Sequence, residues 1–104
     1  MKLTDLFKGP EQWCKGRFAR NIKGESVQPD SVEAYQWCVM GRWLILATKE
    51  PFNPLLQACN ELFPTRKSTD FGTMSSFNDH PDTTFDDVQA VLERAEQIRT
   101  QESK

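Results

Sequence analysis

Histidine is nearly absent from this 104-residue chain, and its three cysteines are scattered. His80 is the only histidine, and Cys14, Cys38 and Cys59 lie more than twenty residues from one another. Structural zinc sites hold their ligands in close pairs, so these four residues make a legal ligand set at the wrong spacing. An odd number of distant cysteines also argues against a disulfide framework and fits the reduced thiols of a cytosol. A cysteine nucleophile served by His80 would need an orienting group and a depressed thiol pKa, and neither has a signature here. No glycine-rich phosphate loop, paired-histidine metal helix or nucleophile elbow occurs. Long apolar runs are missing too. The longest, 37–47, is too short to cross a bilayer and contains Arg42. Met1–Pro10 has no signal-peptide core. We therefore expect a cytoplasmic protein that is no enzyme, has no catalytic residues, cofactor or metal, and does not associate with membranes. A strong charge bias is lacking as well. Residues 1–50 carry eight Lys/Arg against six Asp/Glu and residues 51–104 five against nine, for a net charge of −2, which singles out no polyanionic partner.

Aromatic residues are plentiful: three Trp, seven Phe and one Tyr. Each buries about 150–250 Å², so they supply much of a small core. The length fits a single domain spanning 1–104. Leu3–Lys8 reads as a short helix stopped by Gly9-Pro10. Asp30 with Glu33 three residues later forms a capping-box pattern, and the apolar stretch Tyr35–Leu46 follows it. These residues predict a buried central helix over 31–48, ended by Pro51, with Ala34, Cys38 and Gly41 on a face that allows close approach. Asn53-Pro54 opens a further helix through Leu55, Leu56, Cys59, Leu62 and Phe63, closed by Pro64. Thr65–Thr73 reads as a loop and Met74–Phe77 as a short extended piece. The last helix opens at Thr84-Phe85-Asp86-Asp87 and carries the stripe Val88, Val91, Leu92, Ala95 and Ile98. Segment 11–28 admits two readings: an irregular stretch with a minor β-hairpin turning near Lys23-Gly24, or a helix over Glu11–Arg20. The expected fold is mainly α, a small four-helix domain.

Three groups of residues invite a functional reading. The segment 78–83 gathers Asn78, Asp79, His80 and Asp82. Counted as a calcium loop from Asp79, its twelfth residue is Ala90 instead of Glu. Turn formation is the better reading, because Asn and Asp fold the backbone locally. The segment 13–23 interleaves Trp13 and Phe18 with Lys15, Arg17, Arg20 and Lys23. Either the rings pack inward with the cations solvated, or Trp13, Lys15, Arg17, Phe18 and Arg20 form a protein-contact patch. Phosphate tracking with base stacking is the further alternative. Arg42, alone among apolar neighbours, demands a partner if buried. Asp79 is the leading expectation for that ion pair and Asp82 the next, with snorkelling to the surface as the other outcome.

Trp13, Gly16 and Phe18, then Gly24, Trp37-Cys38, Gly41, Ser76-Phe77-Asn78-Asp79, Thr84 and Val88 recur in an order that resembles an uncharacterised family of short bacterial and phage proteins, a domain of unknown function. Its members tend to read W-x-x-G, W-C-x-x-G-A and W-N-D followed by T and V. Phe77 stands where that family prefers Trp, and Arg42 where it prefers a small residue. The resemblance spans roughly residues 13–95, implies no activity, and supports a helical fold. It also implies a phage or mobile-element source, where a small acidic protein acts by binding and inhibiting a host protein. The leading expectation is thus a protein-binding module. A nucleic-acid-associated protein using 13–23 is the alternative, and an enzyme with a site near 78–83 the third.

Overall fold

The computed structural model describes residues 2–66 and 74–102. The chain is mainly helical, with a minor strand pair, as the sequence predicts. Two 3-10 turns, Leu3–Asp5 and Pro10–Gln12, precede strands β1 (Ala19–Arg20) and β2 (Gln36–Trp37). Four helices follow: α1 (Val39–Leu46), α2 (Asn53–Leu62), α3 (Met74–Asp79) and α4 (Phe85–Glu102). None of the helices described is long and apolar enough to cross a membrane.

The 3.6-residue stripe of α4 does what its spacing implies. Val88, Val91, Leu92, Ala95 and Ile98 are all buried, and they face Leu55, Ala58 and Cys59 of α2 and the Leu3–Asp5 turn across one continuous core. Thr84 starts the helix by a reciprocal cap: its Oγ1 accepts from the Asp87 amide at 3.3 Å, and its own amide donates to Asp87 Oδ2 at 3.2 Å. Edge-to-face ring pairs close the core's rim, Trp43 on Phe52 and Phe7 on Phe85 at 5.2 and 5.9 Å.

The helix predicted over 31–48 is confined to Val39–Leu46. Residues 31–34 form turns instead, with the Ser31 Oγ accepting from the Glu33 amide at 3.1 Å. Gln36 and Trp37 extend and pair antiparallel with Arg20 and Ala19. Aromatic Trp37 suits a strand, and the pairing with a segment far back in sequence overrides the local capping signal. Only one face of α1 is buried, through Val39, Met40, Gly41 and Trp43, while Leu44, Ile45 and Leu46 stay partly exposed. The small face does allow close approach: a Cβ on Gly41 would overlap the Phe18 carbonyl. Met74–Phe77, expected to be extended, belongs to helix α3, which packs against α1.

Segment 11–28 resolves in favour of the turn near Lys23-Gly24. Asn21 Oδ1 accepts from the amides of Lys23 and Glu25 at 3.0 and 2.9 Å, and Gly24 takes φ +84°. Single bridges set Trp13 parallel to Trp37 and Arg20 antiparallel to Ser26. A thin layer results, ordered 13, 36–37, 19–20, 26, laid beside the helices.

Candidate functional site

The junction between that layer and the helices is organised by Asn78, which is fully buried. Its Oδ1 accepts from Trp13 Nε1 at 2.7 Å and from the Val39 amide at 3.1 Å. Its Nδ2 donates to the Cys14 carbonyl at 3.1 Å and to Asp79 Oδ1 at 2.9 Å. One amide thus satisfies both donors and both acceptor positions. It also caps α1 from outside, since the Val39 amide is among the first-turn groups that a helix leaves unpaired. The Cys38 Sγ accepts from the Gly41 amide of the same turn at 3.3 Å. Asp79 Oδ1 takes a further bond from the Gly16 amide at 2.8 Å, and Gly16 holds φ +80°, where a side chain would be strained. Trp13, Gly16, Asn78 and Asp79, singled out separately in the sequence, therefore form one connected lattice, with Cys38 capping the adjoining turn of α1.

Beside this lattice opens a cleft of about 460 Å³, lined by residues 16–18 and 26–29 together with Cys38 and Asp79. The positive-φ turn at Gly16 throws Arg17 and Phe18 outward at its rim, and the Asn21–Glu25 turn brings 26–29 back to face them. Phe18 is 51% exposed.

The five residues expected to form a contact patch divide. Trp13 is tied to Asn78 and lies 6.2 Å from Phe85. Lys15 donates to the His80 carbonyl at 2.7 Å. Arg20 donates to the carbonyls of Gly24 and Lys15, both at 3.0 Å. These three build the fold. Arg17 and Phe18 alone reach the cleft.

The expected ion pair between Arg42 and Asp79 does not form. Arg42 Nε donates to the Leu6 carbonyl at 2.6 Å, and its guanidinium lies 4.2 Å over the Trp37 ring. The carbonyl at the end of the first 3-10 turn and an indole face serve a half-buried planar cation well, and Asp79 is already engaged by Gly16 and Asn78. Asp82 faces His80, with His80 Nδ1 accepting from the Asp82 amide at 3.1 Å.

Burial pushes the Cys14 thiol up to about 11, with Cys38 beside it adding to the rise against Arg20. Burial likewise raises Cys38, against the pull of the Gly41 amide. Both are protonated at neutral pH, so neither is an activated nucleophile. Among the described residues no group of three or more His, Cys, Asp and Glu stands together to hold a metal ion.

Sequence reasoning missed the lattice because Asn78 looks like a turn former. The available signal was an Asn directly following an apolar Phe, a polar side chain placed where the chain turns into the core. No curated protein and no solved structure matches the chain. A family model does: it matches residues 5–98, and the chain belongs to that family, described as a family of unknown function (DUF6197).

Proposed function

We propose that this protein is a non-enzymatic, cytosolic binding module that docks a segment of a partner protein in the cleft beside the Asn78 lattice. The cleft itself carries this reading. It is about 460 Å³ in volume and is walled by Phe18, Val27 and Pro29 with a few polar groups, the composition of a site that takes side chains of a ligand. Its rim holds the half-exposed Phe18 ring, and aromatic residues are enriched in the cores of protein interfaces. The resemblance to short bacterial and phage proteins makes a host protein the partner to seek first, with inhibition as the consequence of docking.

The nucleic-acid alternative is weaker on the same geometry. Of its four cations, Lys15 and Arg20 are spent on main-chain carbonyls, which leaves a sparse phosphate track. Selection of random peptides on the intact chain tests the proposal. Selected peptides should lose binding with Phe18→Ala and keep it with Val32→Ala, a fully exposed site outside the cleft. Equal loss or equal retention in both variants would refute it.

A further inference from the structure

Resting on that docking reading, we propose that the cleft receives the side chain of a lysine or arginine from the partner protein, with Asp79 as its counter-charge and Phe18 as the ring against its stem. Asp79 is the carboxylate on the cleft wall. Its Oδ1 is fixed by two hydrogen bonds, from the Gly16 amide and from Asn78 Nδ2, at 2.8 and 2.9 Å. The carboxylate is therefore held in one orientation before anything binds. Among the described residues its other oxygen accepts no hydrogen bond and Asp79 enters no ion pair.

The neighbouring cations do not supply that charge. Lys15 Nζ is drawn to the His80 carbonyl and stands 5.5 Å over the Trp13 ring. Arg20 is bound to two carbonyls. Arg17 Nη1 is turned onto the Gly16 carbonyl at 3.0 Å. Asp79 is the one carboxylate of the lining and Arg17, turned onto a neutral carbonyl, its one cation; a concave site focuses the field of a fixed charge in its opening. An ammonium or guanidinium on an aliphatic stem matches both features: the head pairs with Asp79 and the methylenes lie against Phe18, Val27 and Pro29. The exposed Phe18 ring adds a cation–π surface for the same head group.

The test uses the full chain and three capped tripeptides, Ala-Lys-Ala, Ala-Arg-Ala and Ala-norleucine-Ala, the last carrying the lysine stem without its ammonium, titrated while amide shifts of Gly16, Phe18 and Val27 are followed by NMR. The two basic peptides should bind roughly tenfold more tightly than the norleucine peptide, and Asp79→Asn should erase that difference. Asn at this position keeps an oxygen for the Gly16 amide, so the fold survives, and an unchanged amide spectrum away from the cleft verifies it. Equal affinity for the norleucine peptide, or an undiminished preference in Asp79→Asn, overturns the charge assignment while leaving the cleft as a docking site. Silence of the cleft amides toward all three peptides overturns the docking reading with it.

Discussion

Replacing Asn78 with leucine should be among the most damaging single changes in this chain. Leucine shares the branching of asparagine but is bulkier, so it opens no cavity, and the loss is that of four hydrogen bonds together with some crowding where they sat. The Val39 amide and the Cys14 carbonyl meet Asn78 in buried surroundings. Each becomes an orphaned polar group, at about 1–3 kcal/mol apiece. Trp13 Nε1 is only partly buried, and water replaces its lost acceptor. Two orphans therefore cost roughly 2–6 kcal/mol, and about 3 kcal/mol after the added apolar contact of leucine is set against them. Small domains have only about 5–15 kcal/mol in total. At about 4–8 °C per kcal/mol for this chain length, Tm should fall by roughly 12–24 °C. Urea unfolding followed by tryptophan fluorescence, with Trp13 and Trp37 both at the junction, gives the free energy directly. A loss below about 1 kcal/mol would show that Asn78 is not what joins the layer to the helices.

Three further outcomes follow from the same geometry. Gly41→Ala should destabilise by about 1–3 kcal/mol, because the new Cβ meets the immovable Phe18 carbonyl; helix propensity alone would stabilise it, so any gain in urea midpoint refutes the contact. Arg42→Met should cost about 1 kcal/mol from the lost bond to Leu6 and the Trp37 stacking, and a double-mutant cycle with Asp79→Ala should show coupling within about 0.5 kcal/mol; a larger coupling would restore the ion pair. Cys14 keeps its proton more tightly folded than unfolded, so its contribution is complete below an ordinary thiol value of 9.0 and is lost as pH rises towards about 11. The urea midpoint of the parent chain should therefore fall over that window more steeply than that of Cys14→Ala, and parallel curves would contradict the assignment.

Periodicity made the helical half of this molecule legible. The α4 stripe and the proline stops around α2 are local signals, and tertiary structure agrees with them. Residues 31–38 defeated the same reasoning, because the Asp30–Glu33 pattern that opens helices also suits a turn, and the deciding partner of Trp37 is Ala19. Met74–Phe77 is too short an apolar run for period to separate strand from helix. Arg42 was misread because a backbone carbonyl at Leu6 has no signature in sequence. The cleft was illegible for a related reason. Its walls come from two turns and two side chains scattered between residues 16 and 79, and no spacing rule connects them. What did carry over was composition: an aromatic-rich basic segment drew attention to 13–23, and the fold then assigned Trp13, Lys15 and Arg20 to structure and left Arg17 and Phe18 at the rim.

Among the described residues, the exposed Leu44, Ile45 and Leu46 at the end of α1 make a rival surface. A chemical-shift map of the intact protein with a selected peptide separates the two surfaces most directly. Docking in the cleft predicts the largest shifts at the amides of 16–18 and 26–28, with the Asn78 side-chain amide moving alongside. Largest shifts at residues 44–46, with 16–18 unmoved, would contradict it.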